Sequence, residues 1–404
     1  VQVDPDVIFY GIDKTSYFKV AGNLLFNGVA GSPVILTSAL DTNFVQSNLS
    51  TLSGSLAPGD WSRIEVRPGG RLTASYTKFL YGGNKFFIAG GFVFGGKNVS
   101  QIVRNSGGII NLNNTEFTNN YLDVDPATQF YNAIVWTETP AGFSATTSID
   151  SSLFNGGWLA IDNYGQNDGQ RIYSSITNNT FQNFINTTGP IVSSYSFPIL
   201  SNNIFSNNVS DYVDFNSWTL AIDTTLNAGV NYLFSNITVP AGMILTINPG
   251  VNLSMNSGDI QVNGRLQASG TAEAPITIQA KAGKNWGIIL FGNSNSILEQ
   301  VNIIGGNSSG LRPVTARGVI TAEDSRLFLD YVNITDSERP ESMVYIKNSI
   351  LDIENSNLVW SAPWNLGSWL TRGITMTGGS LYLNNTNFKQ MRYGIMVNSG
   401  QITG

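Results

Sequence analysis

The chain is expected to fold as an all-β protein, a right-handed parallel β-helix built as two tandem modules. Three observations predict this. A stretch near residue 20 recurs near residue 262, a looser unit of about 22 to 30 residues repeats around both copies, and apolar residues alternate with period two.

The recurring stretch comes first along the chain. From Phe18 the sequence runs FKVAGNLLFNGVAGSPVILTS, and from Ile260 it runs IQVNGRLQASGTAEAPITIQA. Gly22 aligns with Gly264, Leu24 with Leu266, Gly28 with Gly270, Ala30 with Ala272, Pro33 with Pro275 and Val34 with Ile276, all at an offset of 242. After a loop that is 17 residues longer in the first copy, Trp61 aligns with Trp286. Both stretches close on a double glycine, Gly82-Gly83 and Gly305-Gly306. Two starts of one module set the expected domains at 1–217 and 218–404.

The strands within each module are read from alternation. In WSRIEVRPGG, Ile64 and Val66 fall on one face and Arg63, Glu65 and Arg67 on the other, as a half-buried strand requires. In ILTINPGVNLSM, Ile244 and Thr246 oppose Leu245 and Ile247. Gly, Asn and Pro punctuate every segment, which breaks helices and supplies tight turns with positive φ.

The looser unit pairs an apolar alternation with Asn or Ser and then an aromatic or aliphatic residue. It reads GGIINLNNTEFTNN from Gly107, TSIDSSLFNGG from Thr147, SSITNNTFQNF from Ser174 and FPILSNNIFSNN from Phe197. It resumes from Ser325, Asn348 and Gly378. Taking Phe117, Phe154, Phe181 and Phe205 as equivalent gives spacings of 37, 27 and 24, and Ile334, Leu358 and Phe388 give 24 and 30. Strands this short, at intervals this irregular, suit rungs of a coil stacked about 4.8 Å apart better than the hairpins of a sandwich. Stacking also accounts for Asn, because amides at one bend of successive rungs hydrogen-bond along the stack. The crossover rule and the variable rung length give the right hand.

Composition narrows the class. With 404 residues and 42% hydrophobic content there is material for one large core or two ordinary ones. Only 12% of residues are charged, and 46 Asn supply much of the polar surface. Such a surface suits a secreted protein. Absence of Cys shows neither a disulfide framework nor a thiol site. Net charge is −6 and the 21 Lys and Arg are scattered, so nucleic acid is not an expected partner. No run of 18 apolar residues is present to span a membrane. The chain opens on Val, which suggests numbering from a cleavage site or from within a longer precursor.

The string ITVPAGMILTINPGVNLSMNSGDIQVNGRLQASGTAEAPITIQA, Ile237 to Ala280, resembles the lead-in of right-handed parallel β-helix proteins of the pectin-lyase-like superfamily, particularly secreted and surface-attached ones. GGIINLNNTEFTNN is similar to repeats of autotransporter-type β-helix passengers. The resemblance implies the fold without an activity. Hydrolases of the superfamily use an Asn-Thr-Asp strand, an Asp-Asp pair, a Gly-His-Gly and an Arg-Ile-Lys, whereas this chain has no His, no Asp-Asp and no Arg-Ile-Lys. Lyases of the superfamily need calcium-binding carboxylates and an Arg base on neighbouring rungs.

Candidate sites follow from residue types. Asp123 and Asp125 share one face of a strand at i, i+2, where a hard cation such as Ca2+ would bridge them. Glu323-Asp324 and the group Asp336, Glu338 and Glu341 are acid–base candidates that would need a cleft. Trp360, Trp364 and Trp369 fall in one loop-like stretch and are candidate sugar platforms. Eleven glycosylation sequons occur, at Asn48, Asn98, Asn113, Asn178, Asn186, Asn208, Asn236, Asn252, Asn307, Asn333 and Asn384. In the Trp61–Trp286 alignment, outward Arg63 and Glu65 map to Ile288 and Leu290. That apolar pair is either covered by a loop of the same chain or a contact patch for another subunit.

The chain is thus expected to be an extracellular or cell-surface structural or adhesive protein, assembling into a layer, stalk or filament. Its ends read as unfinished rungs, its expected partners are further copies of itself, cell-surface components or glycans, and no catalytic residue or cofactor is assigned. The alternative is a polysaccharide-binding or lyase-like β-helix.

Overall fold

The computed structural model describes residues 1–44, 54–88, 97–120, 132–165, 171–194, 196–306, 318–335, 342–360 and 372–404. It forms two compact units, Val1–Phe215 and Asn216–Gly404. Both are parallel β-helices, and no helix occurs among the described residues.

In the first unit the chain visits three sheets in turn. One sheet runs from Gln2–Val3 through Asn23–Asn27, Arg71–Ser75, Ile109–Asn113, Ser144–Asp150 and Arg171–Thr177 to Ile199–Ser201. The second runs from Ile8–Gly11 to Ile204–Ser206. The third holds Phe18–Val20, Ile64–Val66, Gln101–Ser106, Ala133–Glu138, Ile161–Tyr164, Ile191–Ser194 and Tyr212–Asp214, all paired in parallel. A short antiparallel pair, Phe86–Ile88 with Lys97–Val99, stands outside this pattern.

The recurring stretch is one rung. Phe18–Val20, Asn23–Asn27 and Val34–Ser38 in the first unit correspond to Ile260–Val262, Arg265–Ser269 and Ile276–Ala280 in the second, with every boundary displaced by 242. Rung contact explains the repeated glycine. A Cβ on Gly28 would lie 2.3 Å from the Tyr76 carbonyl oxygen, and one on Gly270 would lie 2.6 Å from that of Gln300. The aligned tryptophans also do the same work, Trp61 Nε1 donating to Leu80 O at 2.7 Å and Trp286 Nε1 to Ile304 O at 2.9 Å.

Inward positions build the core. Phe79, Phe117, Phe154, Phe181 and Phe205 are in register along the second sheet. Their rings stack at 4.6, 4.8, 5.0 and 5.4 Å between centroids. The strand spacing is close to the preferred ring separation, so one residue type repeated at one bend gives a continuous stack. In the second unit Ile303, Ile334, Leu358 and Phe388 occupy one inward column in the same way.

Asn makes the bends. Asn114, Asn178 and Asn202 adopt φ of 50°, 56° and 53°, a left-handed conformation that Asn tolerates better than most residues. The amides of Asn114, Ser151 and Asn178 donate to Asp150 O, Thr177 O and Ser201 O of the following rung. In the second unit an amide ladder forms on strand positions rather than at the bends: Asn333 Nδ2 donates to Asn302 Oδ1 at 2.9 Å, Asn357 to Asn333 at 2.8 Å and Asn387 to Asn357 at 3.1 Å. Longer strands there bend across two sheets, Asn295–Ile304 pairing with both Arg265–Ser269 and Ile276–Ala280.

Candidate functional site

The third sheet of the first unit presents an outward column of charged and aromatic residues. Register places Lys19, Glu65, Arg104, Trp136, Asp162, Val192 and Asp214 one above the next. Their neighbours Ile64, Val103, Val135, Ile161 and Val213 point inward and are fully buried. Charged and aromatic side chains on an outer face are ordinary, but here Glu65, Trp136, Asp162 and Asp214 are buried as well.

Glu65 and Arg104 have ionic partners. Arg63 Nη2 lies 3.0 Å from Glu65 Oε2 and Arg67 Nη2 lies 2.9 Å from Glu65 Oε1. Arg104 pairs with Glu138, whose Oε1 accepts Ser106 Oγ at 2.5 Å and whose Oε2 accepts Trp136 Nε1 at 3.3 Å. The Arg63 guanidinium also sits 3.6 Å from the Phe86 ring centroid and 4.8 Å from that of Tyr17, a cation held between two rings. Burial lowers the Arg63 pKa, with Glu65 opposing and Arg104 adding to the effect. Burial alone would raise the Glu65 carboxyl, but Arg63, Arg104 and Arg67 together hold it below its ordinary value. Asp162 differs, because burial and then the charge of Asp214 push its carboxyl well above the usual range.

Beside Arg63 and Tyr17 the first unit holds a cavity of about 290 Å³. Phe9, Tyr10, Tyr17, Phe18 and Trp61 give it aromatic walls, and Ser16 and Thr37 add hydroxyls. Three hydroxyl protons are committed, Tyr10 to Phe44 O at 2.5 Å, Ser16 to Asp13 Oδ1 at 3.2 Å and Thr37 to Asp41 Oδ2 at 2.7 Å, while Tyr17 is half exposed. What remains for a ligand is ring faces, oxygen lone pairs and the Tyr17 hydroxyl. Gly11 keeps this corner tight, since a Cβ there would lie 2.2 Å from Trp61 Cβ.

The sequence-derived candidates fall differently. Asp123, Asp125, Asp336, Glu338, Glu341, Trp364 and Trp369 lie outside the described residues. Trp360 is 7% exposed, so its ring is not an open sugar platform, and its amide bonds Lys389 O. Glu323 has an ionic neighbour in Lys347 at 3.9 Å, and Asp324 is a turn residue with φ of 47°. Of the two alternatives for the apolar pair, Ile288 takes the covered one: it is 1% exposed and precedes the strand Ile289–Gly292, with its amide bound to Asp259 Oδ1. Leu290 is outward and half-buried.

The sequons sort by what their amides already do. Asn186 is 6% exposed, and Asn208 is clamped between Phe184 N and Phe181 O. Asn178, Asn236 and Asn333 donate to Asp150, Ser217 and Asn302. Asn113, Asn252 and Asn384 are exposed. Asn48, Asn307 and the side chain of Asn98 lie outside the described residues. Among the described residues no group of three or more His, Cys, Asp or Glu could hold a metal ion, and no helix is long and apolar enough to cross a membrane.

A scan against protein-family models finds no match to the chain, and a search of curated proteins finds none either. Alternation along the chain marks Arg63 and Glu65 as outward charges, but it does not link them to their column partners Arg104, Trp136, Asp162 and Asp214. Arg104 lies 13 residues before Phe117, Trp136 18 before Phe154 and Asp162 19 before Phe181, so no fixed offset links the column to the Phe stack.

Proposed function

We propose that the chain is an extracellular adhesive β-helix protein that binds a neutral glycan through the aromatic cavity of its first unit. The carrying observation is the cavity's composition: five aromatic side chains, hydroxyl oxygens and no charged group. A sugar ring offers C–H faces to stack on such walls and hydroxyl protons for the remaining lone pairs. The volume suits a single ring rather than a long chain. Adhesion rather than hydrolysis is supported by the pairing of Arg63 and Arg67 with Glu65 and of Arg104 with Glu138, which commits these acids and bases to one another. The sparse charge and abundant Asn support an extracellular or cell-surface location, and the lead-in from Ile237 to Ala280 supports descent from the pectin-lyase-like superfamily.

The test is binding of the purified chain to a panel of neutral and acidic oligosaccharides, with Tyr17→Ala as the site variant. Tyr17 is 52% exposed, so its loss should leave the coil folded. Binding of a neutral sugar that weakens about tenfold or more in Tyr17→Ala is expected. Binding indifferent to Tyr17→Ala, no binding at all, or release of an unsaturated sugar product would overturn the reading.

A further inference from the structure

Asp162 lies on the outward side of the strand Ile161–Tyr164, yet it is 3% exposed, and its Oδ1 has no hydrogen-bond partner among the described residues. Register fixes what faces it. On one side is Trp136, with Arg104 beyond it. On the other is Val192, followed by Asp214, two strand spacings or roughly 9.6 Å away along the sheet. On its own strand Tyr164 stacks against Trp136 with centroids 6.0 Å apart. The nearest cation in the column, Arg104, is paired with Glu138. On the adjacent strand Glu138 lies opposite Tyr164, and Val99, Ala133, Trp136 and Leu159 form a buried cluster against which Trp158, Tyr164 and Val192 pack.

We infer that Asp162 is a protonation latch: the outward cluster of the first unit closes over a neutral carboxyl and loosens when that carboxyl ionises. A carboxyl buried among rings, with no donor on Oδ1 and a second carboxylate in its column, is tolerated as the acid far better than as the anion. Ionisation therefore favours opening of the cluster to water. The direction in pH follows. The folded unit holds the Asp162 proton more tightly than an unfolded chain does, near 3.8. The stabilisation is complete below that value and is lost as pH rises through the raised folded-state value. In the second unit the corresponding column holds Thr321, Tyr345 and Thr375, with no carboxyl to titrate.

Hydrogen exchange of the full chain between about pH 4 and about pH 9, corrected for intrinsic rates, reads the latch directly. Protection of Ala133–Glu138 and Ile161–Tyr164 should fall about tenfold for each unit by which the folded value is raised. Protection of Gly318–Glu323 in the second unit should not change. In Asp162→Asn, which keeps the shape and cannot ionise, the fall should vanish. A wild-type chain without the fall, or Asp162→Asn with the wild-type fall, overturns the latch. Should Asp162→Asn not fold, Asp214→Asn replaces it. Removing the neighbouring charge makes Asp162 easier to ionise, so the fall should shrink, and an undiminished fall overturns the latch.

Discussion

The third sheet of the first unit and its counterpart in the second share a rung design and differ on the outside. Inward, Ile64 and Val66 correspond to Ile289 and Phe291, all fully buried. Outward, the first unit stacks Lys19, Glu65, Arg104, Trp136, Asp162, Val192 and Asp214, while the second stacks Gln261, Leu290, Thr321, Tyr345, Thr375 and Met396. One column is charged and aromatic, the other carries no charge. The coil constrains the inner position of each strand and the residue at each bend, and it leaves the outer position to be specialised. The similarities between units therefore mark what folding requires, and the differences fall at positions that the coil leaves free.

The largest expected effect tests the shared inner frame. Phe154 stacks between Phe117 and Phe181 at 4.8 and 5.0 Å and is fully buried. Phe154→Ala should destabilise the first unit by about 3–5 kcal/mol through lost burial and an unfilled hole. Leu358→Ala, at an inward column position of the second unit, should cost about 2–4 kcal/mol. Urea unfolding of each variant checks both numbers. If Phe154→Ala cost less than Leu358→Ala, the aromatic stack would add nothing beyond an aliphatic column.

This frame was legible in the sequence because its signals are local or regularly spaced. The offset of 242 reproduces every strand boundary of the repeated rung, and Phe117, Phe154, Phe181 and Phe205 are the stack that their spacing suggested. The outer column was not legible, because the turns between the third and first sheets vary in length and register is set by the assembled coil. Ile288 and Trp360 show a second limit. Alternation tells which way a side chain points, whereas coverage depends on segments distant in sequence, and both residues are buried.

A middle-sized effect separates two carboxyls of the charged column by the sign of their pH dependence. Glu65 accepts from Arg63 Nη2 at 3.0 Å and Arg67 Nε at 2.9 Å. Glu65→Gln should cost about 1–3 kcal/mol at neutral pH, because partly buried donors lose a charged acceptor. Burial raises the Glu65 pKa, but its arginines outweigh this and leave it below 4.5. Its contribution is therefore present above the unfolded value and lost as pH falls through the folded one, opposite to Asp162. Wild-type stability should weaken on acidification more than that of Glu65→Gln. Parallel acid titrations would remove Glu65 from this role.

The smallest effect belongs to the neutral column, and it decides how free the outer position is. Leu290 sits where Glu65 sits in the first unit, pointing outward between Gln261 and Thr321, and it is half-buried. If the coil leaves outward positions unconstrained, Leu290→Glu should change stability by no more than about 0.5 kcal/mol, since the new carboxylate can reach water. It should also leave oligomeric state unchanged by light scattering, because Ile288, the other half of the apolar pair, is already covered. A cost near that of a core substitution would mean that the second unit's outer face is packed as tightly as the first's. The two columns would then differ in chemistry alone, with both closed over, and the first unit's burial of charge would be a general property of the coil. A small cost combined with a change in oligomeric state would instead restore the contact patch, carried by Leu290 without Ile288.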